Sequence, residues 1–293
     1  MKKIAFAIAC VLLFASTTAC QTEIDKEPKN PSSVSIDNPG QPSQGNLEVE
    51  VAETVLIDEK GVKITLTGID EDSFMGPELK ILIENSSGKD LTVQSSNTSI
   101  NGYMIDSILS ADVVNGKKVN DTITFMESDF EDCGISAIAD IELSFHIFES
   151  DSWNTYLDTS MISVKTNIAD TYKYEYDDSG EIVYNSEGIK IVVKDLREDS
   201  FMGPELLLYI ENLGNKNITV QATDVSINDF MTDTIFSADI LAGKRAVEAA
   251  TFLSSDIEEN GIEEIKSLDI AFNIFDADNW NNITTTNNIH IEF

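Results

Sequence analysis

The octet DSFMGPEL occurs twice in this chain, at residues 72–79 and at residues 199–206. A shift of 127 residues aligns residues 61–154 with residues 188–281 without a gap, and 44 of these 94 positions are identical. Solenoid repeats are about 20–45 residues long, so a period of this length indicates a duplicated domain. The sequence therefore predicts two copies of one fold, and each copy contains the octet.

Within each copy the dominant hydrophobic period is two, which is typical of strands with one buried face. The clearest runs place apolar residues at Ile141, Leu143, Phe145 and Ile147 and again at Leu268, Ile270, Phe272 and Ile274. Turn sequences such as GP, NSSGK and VNGKK separate such runs. This pattern predicts an all-β fold of two tandem antiparallel β-sandwiches, with repeat 1 at residues 53–168 and repeat 2 at residues 169–293.

The octet itself has two interpretations. Gly76 and the proline after it favour a sterically defined turn, with Phe74 and Met75 as an apolar plug that caps the core. A turn of this kind is difficult to alter in either copy, which is a sufficient structural reason for the identity. The alternative is that both copies present the same binding loop.

One motif links the copies to a known group of domains. The pattern E-N-x-x-x-K-x-(L/I)-T-V-Q occurs at residues 84–94 and 211–221, and a Gly-Lys turn at Gly116 and Gly243 precedes the following strand. This pattern resembles the immunoglobulin-like, telokin-like domains of exported lipoproteins of Gram-positive bacteria. The resemblance implies immunoglobulin-like sandwiches and a location at the cell surface, and it implies no ligand.

The N-terminus is typical of an export signal. Lys2 and Lys3 precede an apolar stretch at residues 4–15, and the segment Ser-Thr-Thr-Ala then leads to Cys20. This ending resembles the lipobox of bacterial lipoproteins, in which the cysteine is lipidated and becomes the first residue of the mature chain. It implies a signal peptide at residues 1–19 and a lipid anchor at Cys20 on the extracellular face of the bacterial membrane. Thr17 stands where the lipobox usually has Leu, so ordinary cleavage and secretion is the alternative.

Residues 20–52 are predicted to be a disordered tether, because four of the six prolines lie here among Ser, Asn, Gln and Gly without an apolar period. The chain carries 52 acidic and 19 basic residues, a net charge of −33, which argues against nucleic acid as a partner. After Cys10 and Cys20 only Cys133 remains, so no internal disulfide is expected.

Candidate catalytic groups are scarce. His146 and His290 are the only histidines, and neither is a histidine in the other copy. No G-x-S-x-G, H-E-x-x-H, C-x-x-C or P-loop sequence occurs. The sequence therefore predicts that the protein is not an enzyme.

A metal site is the sharper chemical hypothesis. Acidic residues lie beside predicted turns at Asp70, Asp72 and Glu78 in repeat 1 and at Asp199 and Glu205 in repeat 2. Calcium takes six to eight oxygen ligands, and loops at the ends of sandwiches can supply them. No calcium-loop motif is present, and Arg197 replaces Asp70 in the second copy, so solvated acidic turns are the alternative interpretation.

Trp153 and Trp280 end the last long strand of the two copies, and each is followed by Asn. Such a pair can form a ligand-binding platform for sugar rings or a peptide, whereas a Trp at a strand end more often covers the edge of the core. The sequence as a whole predicts a non-enzymatic, lipid-anchored surface protein that binds a surface protein, a glycan or a cell-wall component. The alternatives are a passive envelope spacer and a calcium-dependent binding module.

Overall fold

The alternating runs form β-strands in the computed structural model, which describes residues 48–198 and 200–293. Repeat 1 contains β1 (Thr54–Glu59), β2 (Val62–Asp70), β3 (Glu78–Asn85), β4 (Leu91–Ile100), β5 (Tyr103–Met104), β6 (Ser107–Ile108), β7 (Ser110–Val113), β8 (Lys118–Phe125), helix α1 (Glu127–Cys133), β9 (Asp140–Glu149), β10 (Thr155–Asp158) and β11 (Ile162–Lys165). Repeat 2 contains β12 (Glu181–Ser186), β13 (Ile189–Arg197), β14 (Glu205–Asn212), β15 (Ile218–Ile227), β16 (Phe230–Met231), β17 (Thr234–Ile235), β18 (Ser237–Ile240), β19 (Arg245–Phe252), helix α2 (Ser254–Glu259), β20 (Ser267–Asp276), β21 (Asn282–Thr285) and β22 (Ile289–Glu292).

The strands form three sheets. The first belongs to repeat 1 in the order β1-β2-β3-β8-β6, and the third belongs to repeat 2 with β16-β15-β20-β21 as its main path. The middle sheet has eleven strands and follows the path β10-β9-β4-β5-β19-β14-β13-β12, so it crosses from one repeat to the other. The crossing is the parallel pair β5–β19, where Tyr103 lies opposite Arg245. The predicted all-β fold of two sandwiches is confirmed.

Strand β14 shows how the two repeats pack together. Leu206, Leu208 and Ile210 point into the core of repeat 2, as the period of two requires. Leu207 and Tyr209, on the opposite face, are also buried, and they pack in the core cluster of repeat 1. Burial of such a side chain stabilises the fold by about 2 kcal/mol, so the outer face of this sheet is an interface and not a solvated surface.

Arg245 lies at the centre of this interface. Its guanidinium carbon is 3.5 Å from the ring centroid of Tyr176, and its Nη2 is 2.8 Å from Oε1 of the buried Glu211. The ring of Tyr103 meets that of Tyr209 edge-on, with centroids 6.4 Å apart. A desolvated cation–π contact contributes about 2 kcal/mol, and the Glu211 carboxylate compensates the positive charge of the Arg245 guanidinium.

The segment between the repeats belongs to the same interface. No strand lies between Lys165 and Glu181, although Tyr172, Tyr174 and Tyr176 alternate there. Tyr172 and Tyr176 pack against the core of repeat 1, and the Tyr176 hydroxyl donates to the carbonyl oxygen of Asn101 at 3.2 Å. The connector is therefore held against the sandwich that precedes it. Neither helix of the described residues is long and apolar enough to span a membrane.

Candidate functional site: the exposed tryptophan turns

Each tryptophan lies in a tight turn directly after a long strand. Trp153 donates its backbone N–H to the carbonyl of Glu149 at 2.9 Å, and Glu149 donates to Asn154 at 3.0 Å. Trp280 repeats this arrangement with Asp276, at 2.8 Å. The backbone reverses within a few residues, and both tryptophans have a left-handed φ, of 59° and 60°. Such a φ is unusual for a bulky residue, so the turns have the same special geometry in both repeats.

The tryptophan rings lie on the surface. Trp153 is 75% exposed and Trp280 is 62% exposed. Neither ring covers the edge of a core, so the interpretation that a Trp at a strand end covers the core edge does not apply to these two residues. Trp153 stacks on Phe148, with centroids 5.2 Å apart and an interplanar angle of 16°, whereas Trp280 lies 6.1 Å from Phe275 at 48°. The Trp153 ring is thus supported on one face by Phe148, and the Trp280 ring lies at an angle to Phe275.

An ion pair adjoins each turn at the same position. In repeat 1 the Lys89 ammonium donates to the carboxylate of Glu149, and this bond holds the pKa of Glu149 below its usual value. In repeat 2 Lys216 donates to Asp276 at 2.8 Å and lowers the pKa of Asp276 in the same way. Each turn therefore combines an exposed aromatic ring with an adjacent ion pair.

The octet loops directly follow β2 and β13, at the end of each sandwich opposite the tryptophan turn. A methyl group on Gly76 would lie 2.1 Å from the carbonyl oxygen of Phe125, and Gly76 has a φ of 126°, so the turn requires glycine. Gly203 is in the same position in repeat 2. The prediction of a plug that caps the core is wrong, because Phe74 and Phe201 are both fully exposed. The Gly-Pro turn explains the glycine and the proline, and it leaves the exposed phenylalanines unexplained.

The predicted metal ligands form few contacts with one another. Asp70 accepts a bond from Lys80 at 2.8 Å, which lowers the pKa of Asp70, and Glu78 accepts one from Ser73 at 2.7 Å. In repeat 2, Glu205 accepts a bond from the hydroxyl of Ser200, which is the equivalent of Ser73.

Asp72 is exposed, and its backbone N–H lies 3.4 Å from Oδ1 of Asp70, whereas Asp199 falls outside the described residues. Among residues 48–198 and 200–293, no three acidic, histidine or cysteine side chains are grouped where they could hold a metal ion.

A polar cleft between the repeats escaped the sequence analysis. It has a volume of about 460 Å³, and its lining includes Ser95, Asn97, Asp106, Ser107, Asp239 and Glu248. Burial raises the pKa of Glu248 to about 8, and repulsion from Asp106, Asp129, Asp132 and Asp239 adds to the effect. At neutral pH this carboxyl is therefore mostly protonated. The aligned residue of repeat 1 is Asp121, so a comparison of the two copies does not mark Glu248 as a junction residue.

The other candidate chemical groups lie apart from the turns and the cleft. His146 contacts Asp158 at 2.5 Å on an exposed edge, and His290 contacts Asp269 at 3.1 Å. Cys133 is buried at the repeat interface, and this burial raises the pKa of the Cys133 thiol. Cys20, the signal peptide at residues 1–19 and most of the tether lie outside the described residues.

Comparisons with known proteins add little. No protein-family model and no curated protein matches this chain. Among solved structures, the crystal structure of the YadV chaperone is similar, with 11% sequence identity and a TM-score of 0.23. This match covers 74% of the present chain and 92% of the chaperone chain, and the similarity is too low to bear on function.

Proposed function

We propose that this protein is a non-enzymatic binding protein, anchored by a lipid at Cys20 to the extracellular face of a bacterial membrane, and that it binds a glycan through Trp153 and Trp280. The observation that carries the proposal is that both repeats expose a Trp ring in the same strained turn. A sugar presents C–H groups on its apolar face, and these pack well on the negative face of an aromatic ring. Tryptophan also contributes more than most residues to binding energy.

The signal-like N-terminus supports the location, and the tether would hold both repeats away from the membrane. A chain of this acidity does not bind anionic lipid through its surface, so the lipid is the contact with the membrane. Two equivalent turns on one chain also permit bivalent attachment to a polymer, in which the second contact is favoured by a high effective concentration.

The two tryptophans are the only ones in the chain, so intrinsic fluorescence reports on the proposed sites alone. Soluble cell-wall glycan fragments are titrated into the protein, and we expect a blue shift of the emission and protection from acrylamide quenching. Trp153→Ala and Trp280→Ala should each weaken binding about tenfold, which corresponds to ~1.4 kcal/mol.

Phe74→Ala is the matched control, because it removes an exposed aromatic ring from the loop after β2, away from the tryptophan turn that follows β9. It should leave binding unchanged. If no wall glycan alters the emission, or if both Trp variants bind isolated walls as the unaltered protein does, the proposal fails.

A further inference from the structure

Repeat 1 docks onto repeat 2 through one end of its sandwich. We define the end surface of repeat 1 as residues 101–104, the end of α1 with residues 132–135, and Glu142. The carbonyl of Gly102 accepts a bond from the backbone N–H of Arg245 at 3.0 Å, and Tyr103 is only 3% exposed beneath Tyr209.

Ion pairs flank this contact. Asp132 forms a bidentate pair with Arg197, and Glu142 pairs with Lys244. Both carboxylates belong to the end surface of repeat 1, and both cations belong to repeat 2. The end surface therefore combines an aromatic centre with an acidic border, and it recognises an apolar sheet face with a basic border.

Repeat 2 has the aligned end surface, with Asp229 and Asn260 in place of Gly102 and Cys133, and among the described residues it is open. The aligned residues are 228–231, 259–262 and Asp269. Phe230 replaces Tyr103 and is 47% exposed, while Met231 is 72% exposed. A groove of about 490 Å³ runs between Phe230 and the segment from Asn260 to Glu264. The acidic border is also retained, because Glu259 aligns with Asp132 and Asp269 aligns with Glu142.

A second copy of this chain does not supply the occupant. The outer face of β13, β14 and β19 is already covered by repeat 1. The equivalent face of repeat 1, on β2, β3 and β8, replaces Leu207 by Lys80 and Val247 by Asn120, and both replacements are exposed.

We propose that the open end surface of repeat 2 docks the β-sheet face of a different protein, a face with an apolar centre and with arginine and lysine at its border. The junction inside the chain is the template: Phe230 contacts the apolar centre, Glu259 pairs with an arginine and Asp269 with a lysine. This docking surface is separate from the tryptophan turns, and the inference does not rest on glycan binding.

The acceptor face of repeat 2 can be transplanted onto repeat 1 of the full chain, which tests the docking without an identified partner. Each outer-face residue of repeat 1 is changed to its aligned residue from repeat 2. The changes are Thr65→Val, Asp70→Arg, Lys80→Leu, Leu82→Tyr, Lys118→Arg, Asn120→Val and Thr122→Ala. Because the contact joins unlike surfaces of two copies, it is head-to-tail, and we expect this variant to assemble into oligomers whose mass, measured by sedimentation velocity, rises with concentration.

The matched control adds Phe230→Ser and Met231→Ser to the same variant, which should return it to a monomer. Assembly that persists with these two changes would show that the transplanted face associates nonspecifically, without the end surface of repeat 2, and it would overturn the proposal. A transplanted variant that keeps its circular dichroism spectrum and stays monomeric would overturn it as well. If the seven changes prevent folding, a lighter variant with only Lys80→Leu, Asn120→Val and Thr122→Ala, three positions that are exposed or half-exposed, is used, and the same criteria apply to it.

Discussion

Glu248→Gln should flatten the pH dependence of stability. The pKa of Glu248 rises from 4.5 to about 8 on folding, so between these values the folded state retains a proton that the unfolded state has released. Stability therefore falls as the pH rises through this window. From about pH 5 to about pH 9 the linkage gives an upper figure of about 4 kcal/mol. Water in the cleft screens the carboxylate, and we expect roughly half of this value.

Thermal unfolding followed by circular dichroism at a series of pH values measures the effect. A difference of ~2 kcal/mol corresponds to about 4–8 °C in a domain of this size, and Glu248→Gln should exceed the unaltered protein by this amount at alkaline pH only. Asp121→Asn removes a carboxylate from the aligned position of repeat 1 and serves as the control for net charge. If the unaltered protein and Glu248→Gln lose stability in parallel, the carboxyl is not sequestered at the junction and the reasoning is wrong.

Three further predictions concern stability and reactivity. Gly76→Ala should lower the free energy of unfolding, measured in urea, by more than about 2 kcal/mol. Gly88→Ala should lower it by about 1 kcal/mol, because a methyl group there meets nothing within 4 Å. Equal losses would contradict the steric argument. Arg245→Met should lower the free energy of unfolding by about 2–4 kcal/mol, because it removes the stacking contact and leaves Glu211 buried with one fewer partner, and an unchanged urea midpoint would refute this. Cys133 should be labelled by thiol reagents only at the rate of local opening, as located by mass spectrometry, and immediate labelling would show that it is accessible.

Much of the fold was accessible from sequence, because a period of two reflects a strand with one buried face and a duplication reflects two such folds. The junction between the repeats was not, because it depends on which outer face becomes buried. A signal did exist: Leu207 and Val247 replace Lys80 and Asn120, so one copy has an apolar outer face and the other does not. An asymmetry of this kind between aligned copies indicates which of them is covered.

The candidate sites were less predictable than the fold. Trp153 and Phe74 were recognised as notable from their positions, yet their residue type favoured burial and the structure exposes both. Within a strand the hydrophobicity of a residue predicts burial, because the pleat sets the face to which each side chain points. In a turn it does not, because the backbone torsions decide where the side chain points.

The unequal outer faces bear on the order in which the chain folds. Repeat 1 leaves the ribosome first, and its outer face, with Lys80 and Asn120, is polar and needs no partner to cover it. Repeat 2 alone would expose Leu207, Tyr209 and Val247 on an apolar sheet face, and such a face is prone to aggregation. Because repeat 1 is already folded when repeat 2 emerges, repeat 1 covers the outer face of this sheet before another chain can contact it.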